Sequence, residues 1–330
     1  MNQRTVSKVV VNWAHWQDQI PEKAMEAGFG NVSFFVSEDR DQVLAEMADA
    51  DVALVAGWYA EQLRAGKKLR WVHAVSGGIE GLLFPEFVQS PALFSCGKPT
   101  FAIPGAESAL AAMLMFTRRN HVAIGQPKTD RLGESRDDEL SPVDLAGKTV
   151  GILGMGGMGQ ALAPRAAALG TRVVAATRRR RGSMEGVDRS YTMDRLLEFL
   201  ETSDFVVVAL PVTAETRGMI DDTVFRHMKE SAFLIDISGR PTLFDYRALV
   251  RAVQERRIAG ICTQPAGHHP EIGMPPIDSD FWQMKNVVVT PCRGTSREQV
   301  AAGLDLFFDN LRRFEAGQPL LGLVDKQAGY

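Results

Sequence analysis

The sequence predicts an α/β protein with parallel sheets in two domains, and three observations lead to that prediction. Its 330 residues exceed what a single hydrophobic core usually supports. Strand-like apolar runs alternate with helix-like stretches along most of the chain, which is typical of parallel sheets joined by crossover helices. The third observation is a glycine-rich turn at 154–159, placed between an apolar run and an Ala-rich stretch of helical composition.

The composition bounds the class of protein. With 45% hydrophobic and 23% charged residues it is that of an ordinary soluble globular protein, and a net charge of -3 favours neither a nucleic-acid nor a membrane partner. No run reaches the roughly 18 apolar residues of a membrane span, and the N-terminus lacks a signal-peptide core. The three cysteines are far apart, which argues against a disulfide framework or a zinc site. We therefore expect a cytoplasmic protein without a bound metal.

The first hundred residues alternate between predicted strands and predicted helices. Strands are expected at 8–11, 32–36, 51–55 and 69–75, and helical spacing occurs at 22–27 and 41–50. The last of these strands runs into Ser76, Gly77 and Gly78, a small-residue loop at the carboxyl end of a strand, where ligands of open α/β sheets bind. We interpret these three as candidate substrate-binding residues, with a simple tight turn as the alternative.

A domain boundary is expected near Pro104. Residues 107–118 that follow it form a strongly helical, largely apolar stretch, and 125–144 then become polar and charged without periodicity. Such a segment indicates an extended loop that wraps a partner subunit or domain.

Near-continuous apolar runs at 204–210, 232–237, 258–263 and 286–290 predict further strands covered on both faces. The last helix begins at the capping pattern Thr295-x-x-Glu298 and should return to pack on the first domain. The predicted domains are residues 1–104 with 296–330, and residues 105–295. A substrate cleft is expected between them, hinged near Pro104 and Thr295.

The glycine turn has the spacing G-x-G-x-x-G. It follows the apolar run 149–153, and a second apolar run at 171–176 completes a strand–helix–strand unit of the expected length. In this arrangement backbone N–H groups and a helix N-terminus receive a pyrophosphate, so the sequence predicts a dinucleotide site. A turn that only reverses the chain is the alternative. The predicted binding residues are Gly154, Gly156, Gly157, Met158 and Gly159.

Five stretches, 77–86, 106–110, 145–159, 208–218 and 286–291, resemble the D-isomer-specific 2-hydroxyacid dehydrogenase family, and within it the glyoxylate/hydroxypyruvate reductase branch. The resemblance covers nearly the whole chain. It implies two Rossmann-like/flavodoxin-like domains, with the coenzyme domain inserted within the split substrate domain. It also implies a homodimer paired through the coenzyme domain, which would give 125–144 its role. Further cofactor contacts implied are Leu210, Pro211, Thr216, Ile237, Ser238, Gly239, Gln264 and Gly294.

The end of the second strand of the coenzyme domain indicates which dinucleotide is bound. NAD-selective turns place a carboxylate there for the ribose 2′-hydroxyl, whereas a 2′-phosphate favours hydroxyl and guanidinium groups. This chain has Thr177, Arg178 and Arg179, followed by two more arginines and no carboxylate. We predict NADP rather than NAD, with a solvated basic turn as the alternative.

The resemblance implies an Arg that holds the carboxylate and carbonyl of a 2-oxo acid. Counting from the preceding strand places Gly239 at this position, and counting back from Asp245 places Arg240 there. A one-residue insertion reconciles the two. We favour Arg240, because the helix after Asp245 has a well-defined register. A surface cap is the alternative role for Arg240.

The resemblance also implies a His paired with a Glu as proton donor. The Glu is expected five residues after an Asp that is Gln264 here, which leads to His269, but counting back from the prolines at 275–276 leads to Glu271. The intervening Gly- and Pro-rich loop also contains His268. Adjacent histidines on a loop are often simply exposed, yet at a cleft either could replace a missing imidazole as the acid.

Cys292 stands where the resemblance implies the His itself, within Thr-Pro-Cys instead of Thr-Pro-His. A thiol with a pKa near ~8.5 can donate a proton, although less effectively than an imidazole–carboxylate pair. Two other roles are open for this residue: an activated thiolate favoured by Arg293, and an inert buried cysteine.

Two function classes follow from these residues. The first is an NADP(H)-dependent oxidoreductase that transfers a hydride to or from a small 2-oxo or 2-hydroxy acid, or a related carbonyl compound. In that class the proton comes from Cys292, His268 or His269, with Glu271 behind it. The second is a catalytically impaired dinucleotide-binding sensor or scaffold of the same fold.

Overall fold

The structure, a computed structural model, describes residues 5–124, 141–178, 182–291 and 297–330. The chain divides into two compact units. The outer unit comprises Met1–Phe101 with Thr295–Tyr330, and the central unit comprises Ala102–Gly294. Each unit is built on a parallel sheet, so the α/β class predicted from the sequence is confirmed.

The sheet of the outer unit has the order β2-β1-β3-β4-β5, one of the two common orders of doubly wound sheets. Its strands are β1 Lys8–Val11, β2 Ser33–Val36, β3 Val52–Val55, β4 Trp71–Ala74 and β5 Leu93–Cys96. The helices of this unit are α1 Ile20–Glu26, α2 Arg40–Glu46, α3 Ala60–Ala65, α4 Pro85–Gln89 and, near the end of the chain, α11 Arg297–Glu315.

Both faces of the outer sheet are buried, because successive residues of a strand point to opposite sides. Val9 of β1 lies in one core cluster together with Phe307 of α11. Its neighbour Val10 lies in the other cluster, together with Val43 of α2. The C-terminal helix therefore packs on the sheet formed by the first hundred residues.

The central unit has a sheet of order β12-β11-β10-β9-β6-β7-β8, and all of its strand pairs are parallel. Its strands are β6 Thr149–Leu153, β7 Arg172–Thr177, β8 Arg189–Thr192, β9 Phe205–Val208, β10 Phe233–Asp236, β11 Gly260–Thr263 and β12 Val287–Val289. Its helices are α5 Ala102–Thr117, α6 Asn120–Ala123, α7 Gly157–Ala168, α8 Leu196–Thr202, α9 Asp222–His227 and α10 Tyr246–Gln254. The strand order reverses direction between β6 and β9, which creates the crevice where such sheets bind ligands.

Helices α5 and α7 cover the same face of the central sheet. Ala106, Ala109 and Met113 of α5 share a core cluster with Leu162 and Ala163 of α7. Within the described residues, the stretch Lys98–Thr117 is long and apolar enough to cross a membrane, with a mean hydropathy of 1.3. Seven residues of α5 are buried, among them Ala106, Met113 and Phe116.

Some predicted element bounds were wrong. The helix expected from residue 107 already begins at Ala102, and Pro104 lies in its first turn, where its missing N–H removes no helical hydrogen bond. Strands β5 and β8 were not predicted. The pattern missed β8 because it is a polar edge strand without an apolar run. Of the loop predicted at 125–144, residues 125–140 lie outside the described residues, and the N–H of Val143 donates to the Thr117 carbonyl at 2.8 Å.

Candidate functional site

Two glycines of the predicted dinucleotide turn are required by contacts within the protein. Gly154 follows β6 with φ +105°, and a Cβ added there would lie 2.6 Å from the Ala209 carbonyl oxygen at the end of β9. A Cβ at Gly159 would lie 2.2 Å from the Gly154 carbonyl oxygen, where α7 crosses the turn. Larger residues at these positions would separate helix from sheet.

Gly156 differs, because a Cβ added there would meet no atom of the described residues within 4 Å. It is the N-cap of α7, and no side chain in the described part of the chain caps the helix there. The N–H groups of the first turn need an acceptor, and an anion is favoured at this end of the helix dipole. Gly157 and Met158 instead face α5: a Cβ at Gly157 would lie 3.5 Å from Ala102 Cβ, and one at Gly105 would lie 2.6 Å from Met158 Sδ. The backbone at Gly156 is therefore open on the side where a helix N-terminus favours an anion.

The segment after β9 lies against the glycine turn. A Cβ at Gly154 would lie 3.2 Å from Cδ2 of Leu210. Hydrogen bonds within the segment stabilise its conformation: Thr216 Oγ1 donates to the Pro211 carbonyl at 2.7 Å and accepts from the Thr213 N–H at 2.8 Å. The structure thus brings three predicted cofactor contacts, Leu210, Pro211 and Thr216, to the crevice at the reversal of strand order.

The end of β7 lies next to the same turn, because the N–H of Gly154 donates to the Ala176 carbonyl at 3.0 Å. Thr177 is buried in the strand, whereas Arg178 is exposed. Arg179 lies outside the described residues. Of the predicted 2′-phosphate ligands that the structure describes, Arg178 is the one whose side chain is open to solvent.

The loop after β10 is held by a buried carboxylate that was not predicted as a site residue. Asp236 Oδ1 accepts hydrogen bonds from the N–H and the hydroxyl of Ser238, at 2.9 and 2.5 Å, and Oδ2 accepts one from Thr263 Oγ1 at 3.2 Å. Ser238 Oγ in turn accepts the N–H of Arg240 at 3.1 Å. Burial raises the pKa of Asp236, although these hydrogen bonds act in the opposite direction.

Arg240 is half-buried and follows Gly239, whose φ of +64° turns the chain sharply after β10. The buried Ile237 anchors the start of this turn. Asp245, from which counting leads to Arg240, caps α10, because its Oδ1 accepts the N–H groups of Arg247 and Ala248 at 2.9 and 3.1 Å. The register on which the choice of Arg240 rests is therefore present in the structure.

Two further titratable groups lie near Asp236. Burial raises the pKa of the Cys262 thiol to about 11, and the charge of Asp236 adds to the effect. Burial likewise raises the pKa of Tyr246, again with a contribution from Asp236. Both groups therefore stay protonated at neutral pH and support the loop as packing and hydrogen-bonding groups.

The loop after β11 contains a paired histidine and carboxylate. His269 Nδ1 lies 2.9 Å from Glu271 Oε1, and its Nε2 lies 3.0 Å from the Ala266 carbonyl. The hydrogen bond to Glu271 is the largest of the effects that raise the pKa of His269. The pKa of Glu271 is lowered by its own backbone N–H and then by His269. The two residues reached by counting from opposite ends of this loop are hydrogen-bonded partners.

The other predicted residues near this loop are placed differently. His268 is exposed, and its Nε2 lies 2.9 Å from the Pro275 carbonyl. Gln264 is buried directly after β11. Cys292 and Gly294 lie outside the described residues.

The three predicted substrate-binding residues belong to the outer unit. Ser76, Gly77 and Gly78 follow β4, and Ser76 Oγ donates to the Gly78 carbonyl at 2.7 Å. The N–H of Gly97 donates to the Ser76 carbonyl at 3.0 Å, and a Cβ at Gly77 would lie 2.9 Å from the Phe101 ring. The loop is thus a tightly held turn at the carboxyl end of a strand.

Comparison with known families gives one match over the central unit. The sequence model described as "D-isomer specific 2-hydroxyacid dehydrogenase, NAD binding domain" matches residues 110–294. Two similar proteins are glyoxylate reductases. The one from Thermococcus kodakarensis is 36% identical over 185 residues, 56% of this chain and 54% of that protein, so the match spans about half of its length. The one from Thermococcus onnurineus is 35% identical over 325 residues, 94% of each chain.

Solved structures of similar fold cover nearly the whole chain. The NADPH-dependent glyoxylate/hydroxypyruvate reductase of Sinorhizobium meliloti, in complex with NADP and sulfate, has a TM-score of 0.82 at 26% identity, covering 98% of this chain and 100% of that one. A D-isomer specific 2-hydroxyacid dehydrogenase of Xanthobacter autotrophicus, in complex with NADPH and MES, has a TM-score of 0.81 at 25% identity, covering 99% and 100%.

Proposed function

The chain belongs to the D-isomer specific 2-hydroxyacid dehydrogenase family, and from this membership we propose that it is an NADP(H)-dependent reductase of small 2-oxo acids. The reverse reaction is the oxidation of the corresponding 2-hydroxy acid. One observation carries the proposal: the glycine turn after β6 and Arg240 after β10 lie at the carboxyl edge of the same parallel sheet, with one strand between them. That edge is where such sheets bind both coenzyme and substrate.

The choice of NADP rests on the end of β7. Arg178 is exposed there, and residues 177–181 contain no carboxylate that would repel a 2′-phosphate. The relatives from Sinorhizobium and Xanthobacter were solved with NADP or NADPH, which supports the same choice for this chain. NADPH, when bound, supplies the hydride.

Arg240 is the residue proposed to hold the substrate. A guanidinium group can donate two parallel hydrogen bonds to a carboxylate or share them with a neighbouring carbonyl, which orients a 2-oxo acid and stabilises charge that develops on its oxygen. The Asp236–Ser238 hydrogen bonds hold the backbone from which this side chain extends. Ser76, Gly77 and Gly78 stay predictions for binding of the substrate carboxylate.

A second candidate function is a dinucleotide-binding sensor or scaffold without catalysis. Gln264 at the expected Asp position and Cys292 at the expected His position favour it. The two candidates share the glycine turn and Arg178, so cofactor binding alone does not distinguish them.

We propose further that the protein works in the cytoplasm as a homodimer paired through the central unit. Ile103 and Leu114 on α5 are 51% and 41% exposed, large apolar side chains that a second copy would cover. Sedimentation equilibrium tests the assembly, and a monomer at micromolar concentration would contradict it.

The experiment that tests the function is NADPH oxidation by the purified protein with glyoxylate, hydroxypyruvate and larger 2-oxo acids. We expect Arg240→Ala to lower kcat/KM by roughly 10²- to 10³-fold, as the loss of a charged transition-state contact does elsewhere. Arg226→Ala is the matched control, since this exposed Arg pairs with Asp222 of its own helix, α9. Tight NADPH binding without turnover on any acid would favour the second candidate.

A further inference from the structure

We infer that His269, held by Glu271, is the proton donor of this protein, in place of the histidine that Cys292 replaces. The inference rests on the proposed function and selects one of the three donors that the sequence leaves open. It is carried by the hydrogen bonds of the His269 ring and by the position of its loop beside Arg240.

Both ring nitrogens of His269 face oxygen atoms that only accept hydrogen bonds. Nδ1 lies 2.9 Å from the Glu271 carboxylate, and Nε2 lies 3.0 Å from the Ala266 carbonyl. A neutral imidazole has one N–H donor and one acceptor nitrogen, so it would leave one of these contacts without a proton. The imidazolium donates to both. The geometry therefore holds the ring in its acid form, with Glu271 as the positioning residue.

The loop that carries the ring is fastened to the loop that carries Arg240. The N–H of Ala266 donates to the Gly239 carbonyl at 3.3 Å, and Arg240 is the next residue. A Cβ at Gly267 would lie 3.4 Å from His269 Nε2, so the ring lies over this fastened segment. Because β10 and β11 are neighbours in the sheet, Arg240 and His269 both follow strands that end at the same edge.

His268 and Cys292 are weaker candidates. The contact of His268 Nε2 is with the Pro275 carbonyl of its own loop, which gives no link to the Arg240 turn. A thiol at position 292 is a weaker partner for the carbonyl oxygen than a carboxylate-paired imidazolium. Among the described residues, the charged groups around the pair are Glu271 itself, His268, which contributes to the pKa of Glu271, and Arg247, next to Gly273 on the far side of the loop.

The proposed step balances. The carbonyl carbon of the substrate gains the hydride with its electron pair, the C–O double bond becomes a single bond, and its oxygen takes the proton from Nε2. For this the substrate oxygen replaces the Ala266 carbonyl as the partner of Nε2. The neutral ring keeps its Nδ1–H bond to Glu271, and it regains a proton from water because its side chain is 35% exposed.

The test compares His269→Gln and Glu271→Gln with wild type in pH profiles of kcat/KM for 2-oxo acid reduction. The wild-type rate should fall as pH rises through the pKa of His269. In His269→Gln, kcat/KM should fall roughly 10²- to 10⁴-fold, and the alkaline limb of the pH profile should disappear. Glu271→Gln should move that limb to lower pH, and imidazole should restore part of the rate of His269→Ala. His227→Gln is the control, because this half-buried His on α9 contacts the Thr223 carbonyl of its own helix.

The outcomes separate the inference from the proposed function. If wild type is active and His269→Gln has an unchanged kcat/KM, the inference is overturned and the proposed function stands. The same holds if the alkaline limb disappears in Cys292→Ala or His268→Gln but not in His269→Gln. A wild type without turnover on any 2-oxo acid overturns both. Long-range ¹H–¹⁵N spectra supply a readout without turnover: a His269 ring protonated at both nitrogens near neutral pH supports the inference, and a neutral ring there contradicts it.

Discussion

Asp236 accepts two hydrogen bonds from Ser238 through one carboxylate oxygen, at 2.9 Å from the backbone N–H and at 2.5 Å from the hydroxyl. Asp236 is 2% exposed, and Ser238 Oγ in turn accepts a hydrogen bond from the N–H of Arg240. A buried carboxyl group thus holds the segment that carries the proposed substrate-binding Arg.

The first prediction concerns this carboxylate. Asp236→Ala leaves the Ser238 N–H and the Thr263 hydroxyl without their acceptor in buried surroundings, at a cost of about 1–3 kcal/mol for each group. We expect a lower free energy of unfolding and a KM for the 2-oxo acid raised about tenfold, because Arg240 loses its fixed backbone. Asp236→Asn keeps one oxygen acceptor for Ser238 and should lie close to wild type. Urea unfolding and steady-state kinetics check both, and an Ala variant with wild-type KM would contradict the positioning role.

The second prediction separates the structural glycines from the binding glycine. Gly156→Ala adds a Cβ that meets no atom of the described residues within 4 Å, at φ -77°, so only the weaker N-cap propensity of Ala should lower the stability, by less than about 1 kcal/mol. Its NADPH dissociation constant should rise at least about tenfold, because the methyl group occupies the space of the pyrophosphate. Gly159→Ala should instead lower the Tm, since its Cβ would lie 2.2 Å from the Gly154 carbonyl. Calorimetry and fluorescence titration measure the two effects, and equal destabilisation in both variants would refute the distinction.

The third prediction concerns cofactor preference. Arg178→Gln removes a charge-assisted hydrogen bond to a 2′-phosphate, so the dissociation constant for NADPH should rise about tenfold or more while that for NADH changes little. Arg226→Gln on α9 serves as control. Titration with both cofactors decides the question, and parallel weakening of the two would show that Arg178 does not read the 2′-phosphate.

The fourth prediction concerns pH and the core of the outer unit. Burial lowers the pKa of His73 from 6.5 to about 3. Its Nδ1 lies 2.7 Å from Ser95 Oγ, and among the residues that the structure describes its Nε2 has no hydrogen-bond partner. Below pH 6.5 the unfolded chain binds a proton at His73 that the folded chain does not. The free energy of unfolding therefore decreases as the pH falls from 6.5 towards 3. Between pH 7.5 and 5.5 the loss amounts to about 1.4 kcal/mol.

His73→Leu should remove this part of the pH dependence while filling a similar volume with an apolar side chain. Urea unfolding of wild type and variant at the two pH values measures the difference. Equal pH dependence in the two proteins would mean that His73 is protonated in the folded state.

Residue spacing places motif residues without ambiguity where the chain follows the family pattern. It becomes ambiguous where a loop differs in length from that pattern. The glycine turn, Arg178 and the segment from Leu210 to Thr216 could be placed at strand ends from spacing, because each lies within a few residues of a strand that the apolar pattern identifies. Their roles in cofactor binding stay predictions. In the loop after β11 the two directions of counting disagree, and they lead to two residues that the fold pairs, His269 and Glu271. Asp236 was missed because a single acid at a strand end carries no periodic signal.

The sequence by itself determined the parallel α/β architecture, the dinucleotide turn and the family, since these depend on periodicity and on spacing between residues close in the chain. Only the tertiary structure decided that Asp236 holds the Arg240 turn and that the ring of His269 lies between Glu271 and Ala266. It also decided that His73 is buried, with no partner for Nε2 among the described residues. Those relationships join residues through folded loops and across neighbouring strands. Burial and hydrogen-bond partners of that kind exist only once the strands are aligned in a sheet.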